Sequence, residues 1–338
     1  MKSHDLTTHI TLAHGNGGRL TGELVEDLFV PVLANPLLDT RNDGARVSVS
    51  GADIVLTTDG FTVQPLEFPG GDIGSLAVHG TVNDLAVMGA TPLYLTLSVL
   101  IEEGQDVEQL RRVIASLGRA AAAAGVSVVT GDTKVVRRGE GGGLYLSVTG
   151  VGVRDKAFDL GLAHIRPGDA VLVSGPVGDH GVAVLLAREE FGLRGDVVSD
   201  SASVLPLTAA LAAIPGVRFM RDPTRGGLAT VAHEISHGSG HGIHLRQEVI
   251  PVREPVQAVC EILGYDPLYL ASEGRVVAIV QGEHAAAAVA AWHALPQGEA
   301  AAIIGTVTHG PARVVLETSL GGERLLEELE DDPLPRIC

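Results

Sequence analysis

Apolar residues at helical spacing predict a helix over residues 106–124, with Asp106 as its N-cap and Gly125 closing it. Helical spacing also runs through 74–88. Residues 53–58 are an apolar run that predicts a strand stopping at Asp59-Gly60, and 92–100 reads as a buried strand after the turn Gly89-Ala90-Thr91. Two more buried strands are predicted over 126–130 and 144–153. Past 154–166 the turn Arg166-Pro167-Gly168-Asp169 leads into a strand at 170–174. Helices then follow near 181–191, 203–213 and 228–237, with strands near 276–281 and 302–307.

The alternation predicts an α+β N-terminal domain over 1–155 and a mixed α/β C-terminal domain over 156–322. A flexible tail over 323–338 completes the chain. Its acidic stretch Glu327-Glu328-Leu329-Glu330-Asp331-Asp332 and prolines 333 and 335 favour an extended, unpacked segment. No internal repeat or low-complexity segment interrupts the pattern.

Charge narrows the partners. A net charge of −17 argues against nucleic acid and anionic membrane. A nucleotide site would therefore need screening by metal ions and backbone N–H groups. No apolar run is long enough for a membrane span, and Met1-Lys2-Ser3-His4-Asp5 is not a signal peptide. The 2 cysteines are far apart and cannot form a disulfide framework, which fits a reducing cytoplasm. Lysine occurs only at Lys2, Lys134 and Lys156, so a lysine within a Gly-Asp-Thr-Lys turn stands out.

Several short constellations can carry chemistry. Asp59, Asp84 and Asp132 sit beside small residues at predicted strand ends or helix turns, in Thr57-Thr58-Asp59-Gly60, Val82-Asn83-Asp84-Leu85 and Thr130-Gly131-Asp132-Thr133-Lys134. Such carboxylates either cap their own turns or converge as hard oxygen ligands for Mg²⁺ on nucleotide phosphates. Asp43 is a weaker fourth candidate. The segment His14-Gly15-Asn16-Gly17-Gly18-Arg19 is either a plain flexible loop or an exposed run of N–H groups for phosphate. It is not a Walker A loop. Arg221-Asp222-Pro223-Thr224-Arg225-Gly226-Gly227 before a helix is a second anion-binding candidate. His233-Glu234-Ile235-Ser236-His237 matches H-E-x-x-H, but Ile243 stands where a third zinc ligand would be. Cys260 falls on an apolar helical position and reads as core, whereas Cys338 ends an extended tail that is either simply frayed or able to deliver a thiol elsewhere.

Taken together, these segments resemble the hydrogenase maturation proteins of the HypE family. The resemblance rests on Pro69-Gly70-Gly71-Asp72-Ile73-Gly74, Gly80-Thr81-Val82-Asn83-Asp84-Leu85-Ala86-Val87-Met88-Gly89-Ala90 and Gly131-Asp132-Thr133-Lys134. Gly175-Pro176-Val177-Gly178-Asp179-His180-Gly181, the Arg-Asp-x-Thr-Arg-Gly-Gly turn, Ser272-Glu273-Gly274 and the terminal Pro335-Arg336-Ile337-Cys338 extend it over essentially the whole chain. It implies the two-domain fold shared with aminoimidazole ribonucleotide synthetase and selenophosphate synthetase (PurM-like). N-terminal domains then pair as a homodimer with a shared β-barrel.

The resemblance also implies a reaction: ATP-dependent dehydration of a carbamoyl group on Cys338 to a thiocyanate, which supplies cyanide for [NiFe]-hydrogenase iron. HypF is the implied carbamoyl donor and a HypC–HypD complex the implied acceptor. In that frame Glu273 is the candidate base and Lys134 the group stabilising charge on the activated oxygen or phosphate. Asp59, Asp84 and Asp132 match metal positions, while His14, Gly15, Asn16, Gly17, Gly18, Arg19, Asp43, Asn83, Arg225, Gly226 and Gly227 are implied at the ATP. Two residues depart from the family pattern, Pro223 in place of Ala and Asn16 in place of Ser. Competing readings are a selenophosphate synthetase-like enzyme, disfavoured because no Cys precedes Cys260, and an ATP-sensing binding protein without turnover.

Overall fold

The computed structural model describes residues 18–33, 35, 37, 39–188, 192–193, 195–330, 334 and 336–338. The chain enters through α1 (Arg19–Leu24), a π-helical stretch at Val25–Phe29 and α2 (Val30–Leu33). A hairpin of β1 (Ala45–Val49) and β2 (Ala52–Phe61) follows. Short strands β3 (Glu67–Phe68) and β4 (Gly71–Asp72) lead into α3 (Ile73–Val87). Next come β5 (Ala90–Glu102), α4 (Val107–Ala123), β6 (Ser127–Val136) and β7 (Leu144–Arg154). The main sheet has the order β1-β2-β7-β5-β6, in which only β5 and β6 run parallel, joined through α4.

Helix α3 occupies the centre of this half. Twelve of its residues are buried, which a helix facing water on one side cannot achieve. It packs on β2, β7 and α4 and also touches elements of the C-terminal half. Asp72 caps it by accepting from Gly74 N and Ser75 N, with Ser75 Oγ returning to the Asp72 N–H. Helix α4, in contrast, buries one stripe, Val113, Leu117, Ala120 and Ala121, under the Asp106 cap that the sequence predicts.

The second half is a sheet of seven strands in the order β14-β13-β10-β12-β8-β11-β9. Its elements are β8 (Ala170–Val173), α5 (Asp179–Ala187), α6 (Leu205–Leu211), β9 (Val217–Arg221), α7 (Gly227–Ser239) and β10 (Gly242–Arg246). They continue with α8 (Glu254–Leu263), β11 (Val277–Val280), α9 (Ala285–His293), β12 (Ala302–Thr308), β13 (Val314–Glu317) and β14 (Glu323–Leu325). Strands β8 and β11 are buried throughout, as expected for a sheet covered on both faces. Cys260 lies in α8 and is buried in the core. No helix among the described residues is long and apolar enough to cross a membrane.

Two expected turns are strands instead. Asp59-Gly60 does not end β2, which continues to Phe61 because Asp59 and Gly60 pair with Val148 and Ser147 of β7. Gly131-Asp132-Thr133-Lys134 is the middle of β6, paired in register with residues 97–100 of β5. The segment's glycine suggests a turn, but a Cβ at Gly131 would lie 2.3 Å from Leu97 O, so glycine serves close strand approach there.

The tail is seated in the structure. β14 pairs with β13, and Leu326, Leu329, Leu334, Ile337 and Cys338 are buried. Apolar residues spaced through an otherwise acidic segment supply this attachment, which its charge and prolines do not suggest.

Candidate active site

The C-terminal end of the chain closes a cleft of about 220 Å³ between β2, α3, the turn before α7 and the 272–274 turn. Asp43, Asp59, Asp84, Asp222, Arg225, Glu273 and Cys338 all line it. Gly80 allows the close approach of α3 and β2 here, since a Cβ would lie 2.9 Å from the Phe61 ring and 3.8 Å from Asp59 Oδ2. Arg225 is presented by the turn that launches α7. That turn needs Gly227 at φ 59°, where a Cβ would meet the carbonyls of Leu268 and Leu270 at 2.6 Å.

Three carboxylates, Asp43, Asp84 and Asp222, bring oxygens within 4.8 Å of one another. Thr57 Oγ1 lies 2.6 Å from Asp84 Oδ2, donating toward it, and Arg221 Nη2 pairs with Asp43 at 2.9 Å. Asp222 Oδ2 is buried without a hydrogen-bond partner. Burial first, and mutual repulsion second, push Asp84 well above the usual carboxylate range and Asp222 to about 8. Asp59 is also pushed up by burial, against the Gly60 N–H and the Arg225 charge. Two arginines, Arg221 and Arg225, stand against Asp43, Asp59, Asp84, Asp222 and Glu273, which leaves room for a cation's charge.

Cys338 Sγ accepts from Arg225 Nε at 3.2 Å. Burial pushes the thiol up to about 12, with Arg225 opposing and Glu273 adding to the rise. Glu273 is 1% exposed and its Oε1 has no hydrogen-bond partner, so burial raises its pKa well above normal, reinforced by Asp222, Asp200 and Asp59. Its turn is held from behind: Asp200 accepts the Glu273 and Gly274 N–H groups at 3.1 and 3.3 Å and pairs with Arg275 Nε at 3.3 Å.

The sequence candidates fall in several places. Cys338, Glu273, Arg225, Asp43, Asp59 and Asp84 come together in the cleft. Gly18 and Arg19 line an adjoining cavity of about 670 Å³ with Arg41, Arg221, Thr230 and His237. Gly226 and Gly227 shape the α7 turn. Others lie elsewhere: Asp132 and Lys134 pair with each other at 2.9 Å on the exposed β6. Asn83 is engaged by protein alone, donating to Ala202 O and Glu273 O and accepting from Val204 N. His14, Gly15, Asn16 and Gly17 lie outside the described residues.

Asp222 escaped attention as a ligand because its arginine- and glycine-rich turn reads as an anion site. Asp200 carries no sequence signal of its own. The H-E-x-x-H histidines make no metal cluster among the described residues. His233 Nε2 hydrogen-bonds to Leu326 O, and Glu234 pairs with Arg221.

A two-domain fold with a carboxylate cluster beside a nucleotide-sized cavity defines a protein of the AIR synthase-related class. The models of the AIR synthase related protein N-terminal and C-terminal domains match residues 41–154 and 166–317. Carbamoyl dehydratase HypE of Azotobacter vinelandii is 49% identical over 331 residues, 97% of each chain. That of Escherichia coli K12 is 43% identical over 335 residues, 98% of this chain and 99% of its own. A crystal structure of HypE in complex with ATP superposes with TM-score 0.81 at 46% identity, covering 98% of this chain and 100% of that one. The HypE–HypF complex gives 0.86 at 42%, covering 90% and 99%. The chain belongs to the carbamoyl dehydratase HypE family.

Proposed function

We propose that this chain uses ATP to dehydrate a carbamoyl group carried on its own Cys338, leaving a thiocyanate. The observation that carries this reading is the seat of Cys338 Sγ, buried against Arg225 and beside Glu273 at the edge of the aspartate cluster.

The amide oxygen attacks the γ-phosphorus of ATP, ADP leaves, and the oxygen becomes a phosphate ester. Two protons leave nitrogen, the C–O bond breaks, and inorganic phosphate departs as the C≡N bond forms. Glu273, buried and otherwise unpaired at Oε1, is placed to take a nitrogen proton. Arg225, already donating to sulfur, orients the thiocarbamate and stabilises charge gathering on it.

The donor set fits a divalent cation such as Mg²⁺, given three hard carboxylates and the unpartnered Asp222 Oδ2. Asp43, Asp84 and Asp222 would hold it, with Asp59 alongside, and it would supply positive charge to the nucleotide phosphates. The adjoining 670 Å³ cavity is the proposed seat of the rest of ATP.

The HypE–HypF complex of a relative supports a HypF-type protein as carbamoyl donor. We further propose a cytoplasmic homodimer that passes its cyano group to a HypC–HypD complex. Strand β6 supports the dimer: it is an exposed edge carrying Val128, Val129 and Val135, with Tyr94 of β5 beside it. Lys134 and Asp132 would then reach a site only across that interface.

The test is to carbamoylate the protein with HypF and carbamoyl phosphate, remove small molecules, add MgATP and weigh the peptide of residues 331–338 released by glutamyl cleavage. A mass lower by one water, absent without ATP and in Cys338→Ala, is expected. A carbamoylated tail unchanged by ATP would reduce the chain to a carrier.

A further inference from the structure

Three successive main-chain oxygens at the end of the tail are gripped from two sides, by the segment after β2 and by α5 with its C-cap Arg188. Cys338 O accepts from Thr62 N at 2.9 Å and from Thr62 Oγ1 at 3.0 Å. Ile337 O accepts from His180 Nε2, whose Nδ1 faces Ser199 Oγ at 2.8 Å. Because Ile337 O can only accept, Nε2 is the protonated nitrogen, and Nδ1 accepts from the Ser199 hydroxyl. Arg336 O accepts from Gln64 N at 3.0 Å and from Arg188 Nη2 at 2.9 Å, while Arg188 Nε holds Gln64 O at 2.9 Å.

The bonds of Thr62 N to Cys338 O and Gln64 N to Arg336 O run antiparallel, so the tail lies alongside the chain just beyond the end of β2. Arg336 is held at φ 62°, a conformation costly for a side chain bearing a Cβ, and it is fixed by two donors to one carbonyl. All these donors contact the backbone. They would grip any sequence; the register comes from Arg336 at φ 62° and from the buried Leu334 and Ile337 side chains.

A slip of one residue would turn alternate side chains to the opposite face and carry sulfur away from Arg225 and Glu273. We infer that Thr62, His180 and Arg188 are positioning residues forming a register clamp that reads the tail's main chain and thereby places the Cys338 thiol for dehydration. Which atoms react rests on the function proposed above; the clamp itself rests on these hydrogen bonds.

Thr62→Val removes a hydroxyl whose one described partner is the tail, and Thr62→Ser restores it. Loss of one such buried bond is expected to slow single-turnover dehydration, counted per carbamoylated tail, by about tenfold in the valine variant and not in the serine one. Carbamoylation itself should be unchanged. In the nucleotide-free protein, Cys338 should alkylate several-fold faster in the valine variant, read on the 331–338 peptide.

The register is tested separately with one glycine inserted either between Glu330 and Asp331, outside the clamp, or between Arg336 and Ile337, inside it. The outer insertion should dehydrate normally and the inner one should not. Wild-type behaviour of the valine variant in both assays, or equal activity of the two insertions, would overturn the clamp. If the wild-type tail never loses water, the dehydratase reading fails, yet the alkylation rates still decide whether the clamp exists.

Discussion

Arg225 Nε points at Cys338 Sγ across 3.2 Å, and the cysteine is buried. The guanidinium is the one described donor to the sulfur, and hydrogen bonds to charged groups contribute about 1.5–3 kcal/mol. Arg225→Met is therefore expected to slow dehydration by roughly 10–100-fold while the thiol still accepts its carbamoyl group. Single-turnover mass analysis of the 331–338 peptide measures both.

Glu273→Gln keeps the shape of the turn and removes the proton acceptor. A fall of about 10²–10⁴-fold in dehydration, with nucleotide binding retained, is expected for a lost general base. Rapid-quench phosphate release and calorimetric ATP titration separate the two effects. Activity within a few-fold of wild type would move the base to another group.

Asp84 lies among Asp222, Asp43 and Asp59, and burial with their charges lifts it well above its ordinary range. A carboxylate raised on folding weakens the fold at neutral pH, because charge must be held where the protein prefers none. Asp84→Asn should raise Tm in chelator and abolish the extra stabilisation that added Mg²⁺ gives the wild type. Thermal melts with and without the ion provide the reading.

His79, half-buried on α3 with Nδ1 against Ser201 Oγ, is pushed down to about 4 by burial, against the charge of Asp72. The folded chain thus binds this proton less readily than the unfolded chain, whose imidazole titrates near 6.5. Stability from this site is complete above that value and is lost as pH falls toward 4, by at most about 3 kcal/mol. Denaturant titrations at pH 7 and 5 should show a smaller loss in His79→Gln than in the wild type.

Val129, 57% exposed on the outer strand of the first sheet, is expected to lie within the proposed dimer interface. Val129→Glu should shift light-scattering mass toward the monomer. Dehydration would fall with it if Lys134 serves a neighbouring subunit's site, and would persist if it does not.

Much of the chemistry was legible because it sits in short, unusual strings. Ser272-Glu273-Gly274 and a cysteine after Pro335-Arg336-Ile337 announce themselves, and α4 follows directly from its cap and stripe. What sequence conveyed poorly was where strands stop. Asp59-Gly60 and Gly131-Asp132 look like turns, yet ladder partners on β7 and β5 carry both strands onward. The same blindness affected the cation cluster: Asp43, Asp84 and Asp222 come from a loop, a helix and a strand end, and only the packing of α3 unites them. Asp132, matched by its glycine and lysine neighbours, sits on an exposed edge paired with Lys134.

Since β14 tethers the last residues beside the cleft they enter, catalyst and cargo are one polypeptide. Such short leashes hold a group at millimolar effective concentration, whatever the concentration of the protein. Dehydration should accordingly be first order and indifferent to dilution, with nucleotide as the one saturable reactant. Each chain makes a single equivalent and then blocks its own cleft, so steady output depends on how often residues 336–338 peel away from Thr62 and Gln64 to meet the next partner.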